Sequence, residues 1–146
     1  CSSDLGAQFV HRLFFFLPHA RAERVVSANA GVYLVPDFSI EHPYGLKGSG
    51  ITVDDVKLAL QRPVLVLLGE ADMDPNHRPL PRTPGAMAQG IHRFSRGLNY
   101  FRVASELTVK LRVPFGWKLD TVPGVAHSNT HMAPDAAEHL YGKKRP

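Results

Sequence analysis

Pro63-Val64-Leu65-Val66-Leu67-Leu68-Gly69-Glu70-Ala71-Asp72 is the stretch on which the fold turns. A run of aliphatic residues with no polar alternation cannot show one wet face. Val64 to Leu68 therefore predicts a strand buried on both sides, as in a parallel sheet covered by helices above and below. A helix leads into it over Val53 to Gln61, with Val56, Leu58 and Leu60 as its apolar positions. Thr52 is its N-cap and Asp55, three residues on, the capping-box partner.

Working upstream, Arg24-Val25-Val26-Ser27-Ala28-Asn29-Ala30-Gly31 reads as a short buried strand. Gly6 to Phe16 reads as a helix whose apolar face is Phe9, Val10, Leu13 and Phe16, stopped by Pro18. Gly31 to Gly50, rich in Pro, Gly, Tyr and His, is an irregular segment expected near an active-site rim. Downstream, Asp74 to Pro84 contains four prolines and is a loop. Ala86 to Leu111 reads as one long helix burying Ile91, Phe94, Leu98, Phe101, Ala104, Leu107, Val109 and Leu111. Gly97 is its bend point, and Gln89, Arg93 and Arg96 form a solvated or structural face. Trp117 to Val122 is the last strand. Ala133 to Tyr141 is a closing helix with Pro134 in its first turn and Gly142 as its stop. This alternation builds an α/β domain, a parallel sheet flanked by helices.

With 146 residues, 44% hydrophobic and 21% charged, the composition is that of a globular domain. Single-domain α/β enzymes often run to ~200–250 residues, so a chain that carries only the later parts of such a fold is expected to be incomplete. The net charge of +4 is scattered from Arg12 to Arg145, and its one run, Lys143-Lys144-Arg145, reads as a solvated chain end, which argues against a nucleic-acid partner. One cysteine, Cys1, excludes an internal disulfide. No stretch approaches the ~18 apolar residues of a membrane span.

The chemistry lies at two strand ends. In a parallel sheet the carboxyl ends share one edge, so Asp72, just after the first strand quoted, can meet His127, which follows Val122-Pro123-Gly124-Val125-Ala126. A carboxylate accepting one ring N–H fixes the tautomer of an imidazole and steadies the imidazolium formed when the other nitrogen takes a proton. Acid before histidine is the chain order Ser, Asp, His of a hydrolase triad. Asp74 is the rival acid, the alternative for either aspartate being an Asx turn beside Pro75, and His131 is the rival base. Asn29, Tyr33, Asp37 and Tyr44 are candidates to line a substrate cleft. His11, His19, His42, His77, His92 and His139 show no ligand spacing, so no metal is expected. No phosphate loop or dinucleotide fingerprint is present, so no cofactor is expected.

Gly6-Ala7-Gln8-Phe9-Val10-His11-Arg12, Ala28-Asn29-Ala30-Gly31-Val32-Tyr33-Leu34-Val35-Pro36-Asp37, Leu68-Gly69-Glu70-Ala71-Asp72 and Pro123-Gly124-Val125-Ala126-His127 together resemble the α/β-hydrolase superfamily. More narrowly they resemble bacterial hydrolases related to polyhydroxybutyrate depolymerases and feruloyl esterases. The resemblance runs over nearly all of Gly6 to Tyr141. It implies the C-terminal part of an α/β-hydrolase domain over residues 6–146, from a serine hydrolase that cleaves carboxylic esters through an acyl-enzyme. Asp72 and His127 would be two members of its triad. A peptidase or acyl-aminoacyl hydrolase of the same fold, and a non-catalytic interaction module, are the alternatives.

The family's elbow, Gly-x-Ser-x-Gly, departs here. With Gly6 on its last glycine, Ser2 falls on the first glycine and Asp4 on the nucleophilic serine. An aspartate nucleophile and a shifted turn using Ser2 or Ser3 are two explanations. The favoured third is that Cys1-Ser2-Ser3-Asp4-Leu5 is not native, since TGCTCTTCCGATCT, the end of a common sequencing adapter, encodes it. On that expectation the nucleophile is absent and the chain alone is inactive.

Overall fold

The computed structural model describes residues 5–142. Its elements are α1 (Leu5–Phe16), β1 (Val25–Ala28), α2 (Val53–Gln61), β2 (Val64–Gly69), the single turn α3 (Pro84–Met87), α4 (Arg93–Leu111), β3 (Lys118–Val122) and α5 (Asn129–Tyr141). The three strands form a parallel sheet in the order β1-β2-β3, with Val66 of central β2 lying between Ser27 and Leu119. All of β2 is buried. Its side chains alternate between two cores, as a doubly covered strand requires. Val64, Val66 and Leu68 join Phe14, Phe15, Val56, Leu60, Tyr100 and Trp117, whereas Leu65 and Leu67 join Ala28, Val122, Met132 and Ala136. Each such leucine withdrawn from water contributes roughly 1.5–3 kcal/mol.

Thr52 caps α2 as its sequence requires: its hydroxyl accepts from Asp55 N–H at 3.2 Å, and the Asp55 carboxylate accepts from Thr52 N–H at 2.9 Å. Other expectations need correction. Helix α1 buries Ala7, His11, Phe14 and Phe15, while Phe9 (67% exposed) and Phe16 face outward. The helix is apolar nearly all round, so periodicity alone cannot choose its buried stripe. In α2, Leu58 is exposed and Ala59 is buried instead. The long helix begins at Arg93, not Ala86. Gly90, at φ 153°, breaks the pattern, and His92 starts a new helix by accepting from Ser95 N–H through Nδ1 at 3.1 Å.

The buried stripe of α4 is Arg93, Arg96, Gly97, Tyr100, Ala104 and Thr108, whereas Ile91, Leu98 and Val109 (77% exposed) face out. Gly97 serves contact rather than bending, because a Cβ there would run into the methyl groups of Leu68 and push α4 off β2. Helix α5 starts four residues earlier than expected, with the Ser128 hydroxyl accepting from His131 N–H, so Pro134 lies inside it and not in its first turn.

Candidate active site

The carboxyl ends of β2 and β3 are zipped together beyond the sheet. Glu70 N–H donates to Val122 O at 3.1 Å and Ala71 N–H to Val125 O at 2.9 Å, and the Thr121 hydroxyl bonds the Glu70 carboxylate at 2.8 Å. Gly69 is required there, since any Cβ would overlap the Val125 carbonyl. On the other strand, Gly124 at φ 69° turns the chain after Val122. These two turns bring together side chains 55 residues apart, with His127 Nδ1 3.1 Å from Asp72 Oδ2.

Asp72 is 3% exposed, whereas His127 keeps part of its ring open to solvent. A neutral imidazole that donates from Nδ1 to a carboxylate carries its basic lone pair on Nε2, the state a general base needs. Asp74 is exposed and instead accepts from Asn76 N–H at 2.8 Å in an Asx turn. His131 is exposed in the first turn of α5. Neither rival is placed where Asp72 and His127 are.

Two further residues stand at this pair. Arg93, fully buried at the start of α4, holds Nη1 3.8 Å from Asp72 Oδ1 and 3.0 Å from His77 Nδ1. The His77 ring meets His127 edge to face, with centroids 5.2 Å apart. The main chain makes the same connection, Phe94 N–H donating to Asp72 O at 3.2 Å.

Arg93 and Arg96 are therefore not solvated. Arg96 is fully buried and donates to the carbonyls of Gly31 and Gly90. Buried Gln89 clips the Tyr33 main chain from both sides, accepting from its N–H at 2.9 Å and donating to its carbonyl at 2.6 Å. The signal was present: 93, 96, 97, 100, 104 and 108 form a helical stripe once arginine is allowed to be buried by paired donors.

The cleft-lining candidates divide. Tyr33 is a core residue, fully buried and stacked on Tyr100 at 4.6 Å, so it walls no open cleft. Asn29 sits at the carboxyl end of β1 in the left-handed region, φ 48°, a conformation asparagine tolerates. It is buried too, and its Oδ1 accepts from Gly69 N–H at 2.8 Å, fastening β1 to the end of β2. Asp37 is half-buried and binds Ser39, while the hydroxyl of half-buried Tyr44 is 2.6 Å from that of Thr83.

The 31–36 stretch is buried rather than at a rim because His11 draws it inward. Leu34 N–H donates to His11 Nε2 at 2.8 Å, while His11 Nδ1 bonds Ala7 O at 2.8 Å. Burial of this imidazole, and to a lesser degree the nearby Arg12 charge, lower its pKa from 6.5 to about 3 against the raising effect of the Ala7 carbonyl.

The elbow position Asp4, with Cys1 to Ser3, and the basic run 143–145 lie outside the described residues. Among the described residues no cluster of three His, Cys, Asp or Glu is poised to hold a metal, and no helix is long and apolar enough to cross a membrane. A cavity of about 640 Å³ opens at the opposite, amino end of the strands beside Val25, Val64 and Lys118. None of the site residues lines it, so the side-chain geometry, and not cavity size, locates the site.

Two solved structures are closely similar. Poly(aspartic acid) hydrolase-1 from Sphingomonas sp. KT-1 matches 97% of this chain at 44% identity with a TM-score of 0.91, over 53% of its own length. LpqC, a poly(3-hydroxybutyrate) depolymerase from Bordetella parapertussis, matches 99% of this chain at 34% identity with a TM-score of 0.88, over 49% of its own length. The chain thus spans about half the length of the solved structures it matches. No family model and no curated protein matches it.

Proposed function

We propose, from the premise that this chain has a depolymerase-like hydrolase fold, that it supplies the acid and the base of a Ser-His-Asp triad in a serine hydrolase of polymeric or small carboxylic esters. The observation that carries this is the 3.1 Å contact between His127 Nδ1 and buried Asp72 at the carboxyl edge of the sheet. His127 would take the proton of an attacking serine hydroxyl through Nε2, then return it to the leaving alkoxide. Water would repeat the cycle on the acyl-enzyme, with Asp72 ionised throughout. The serine and its oxyanion-hole amides would come from outside the described residues.

A second reading has an observation of its own. The neighbour with 44% identity is a poly(aspartic acid) hydrolase, whose scissile bonds are amides. The same acyl-enzyme route serves an amide, but the leaving amine must be protonated by His127 before it departs.

The test is made on a longer protein of the neighbours' length that carries these residues. Ester hydrolysis, covalent labelling by a fluorophosphonate, and loss of turnover by about 10⁴-fold or more in His127→Ala are expected. Preference for poly(aspartic acid) over p-nitrophenyl esters and poly(3-hydroxybutyrate) selects the amide reading. Absence of any labelling or turnover sinks both and leaves a non-catalytic module of the same fold.

A further inference from the structure

Arg93 touches both sides of the His127 environment, and its chemistry is one-directional. A guanidinium only donates, so the 3.0 Å contact makes His77 Nδ1 an acceptor and puts the His77 proton on Nε2. The same nitrogen faces Asp72 Oδ1, the carboxylate oxygen not bonded to His127. The ring of His77, held in this way, lies edge-on at 62° to that of His127. The imidazole of His127 thus meets both a carboxylate and a second imidazole, and one buried cation contacts both of these. Residues 73–76 between them are exposed, so the position of His77 is not set by burial of the loop that carries it.

We propose that Arg93 is a positioning residue for the His127–Asp72 pair, acting through both the carboxylate of Asp72 and the tautomer of His77. This rests on the reading of His127 as the base. Arg93 does not touch a reacting atom. It limits the rotations that would carry His127 Nδ1 away from Asp72, the order that makes Nε2 basic.

The test is made on the ¹⁵N-labelled full chain, with no substrate or nucleophile needed. Long-range ¹H–¹⁵N spectra near neutral pH should show His77 as the Nε2–H tautomer and a slowly exchanging Arg93 Nη–H. Replacing Arg93→Met should give mixed His77 tautomers and reduce the Nδ1–H population of His127. Where Arg93→Met does not fold, His77→Phe keeps a ring against His127 but removes the acceptor, and the Arg93 Nη–H signal should then shift while its approach to Asp72 remains. A wild-type His77 with its proton on Nδ1, or an Arg93 Nη–H unchanged in His77→Phe, overturns the proposal. A longer enzyme without hydrolase activity would sink the triad and leave these signals untouched, so the two failures are separable.

Discussion

Acidification should destabilise this fold through His11, and the size of the effect follows from its two hydrogen bonds. The ring is neutral when folded, Nδ1–H donated to Ala7 O and Nε2 accepting from Leu34 N–H, with its pKa lowered to about 3 from 6.5. Between those values the unfolded chain binds a proton that the folded chain refuses. Stability from this group is therefore complete above pH 6.5 and is lost as pH falls toward 3. The whole shift corresponds to roughly 5 kcal/mol, and the change between about pH 7.5 and about pH 4.5 to roughly 3 kcal/mol. His11→Gln offers a non-titrating acceptor at the position of Nε2 and isolates this contribution, because all other groups are shared. Urea unfolding at both pH values, for both proteins, is the assay. Wild type should lose roughly 3 kcal/mol more than His11→Gln over that interval. Equal losses in the two proteins would refute the assignment of a neutral, hydrogen-bonded His11.

Other outcomes follow from single contacts. Gly69→Ala drives a methyl group into the Val125 carbonyl and should cost about 1–3 kcal/mol in thermal unfolding, while also shifting the ring signals of His127. Gly97→Ala should cost a similar amount, but Leu68→Val in the same chain should recover part of it, a coupling readable in a double-mutant cycle; strict additivity would mean α4 and β2 do not meet as described. Arg96→Met leaves the Gly31 and Gly90 carbonyls without their charged donor and should lose roughly 2–3 kcal/mol by urea unfolding, against nearly nothing for a solvated arginine.

How much was legible depends on which physical rule governed each residue. Strand β2 and helix α2 were plain because an unbroken aliphatic run and a Thr-x-x-Asp cap each admit one local solution. The meeting of Asp72 with His127 was legible because parallel strands align their carboxyl ends, an inference about topology and not about distance. Arg93 and Arg96 were legible only as a solvated or structural face, because charge is ordinarily read as surface and only tertiary partners make its burial tolerable. His77 escaped because its approach to His127 is made by a loop and a guanidinium, neither of which leaves a periodic trace. The face of α1 was illegible in a helix of Phe and Leu on every side, and the start of α4 was hidden by a histidine acting as N-cap, outside the usual residue set.

The central claim is that Asp72, and not Asp74, holds the His127 ring through Nδ1. The most direct measurement is the ring proton of His127 in ¹⁵N-edited spectra of the wild-type chain beside Asp72→Asn and Asp74→Asn. The account predicts a hydrogen-bonded Nδ1–H in wild type, preserved in Asp74→Asn and lost in Asp72→Asn. A signal indifferent to Asp72, or abolished by Asp74→Asn, would contradict it.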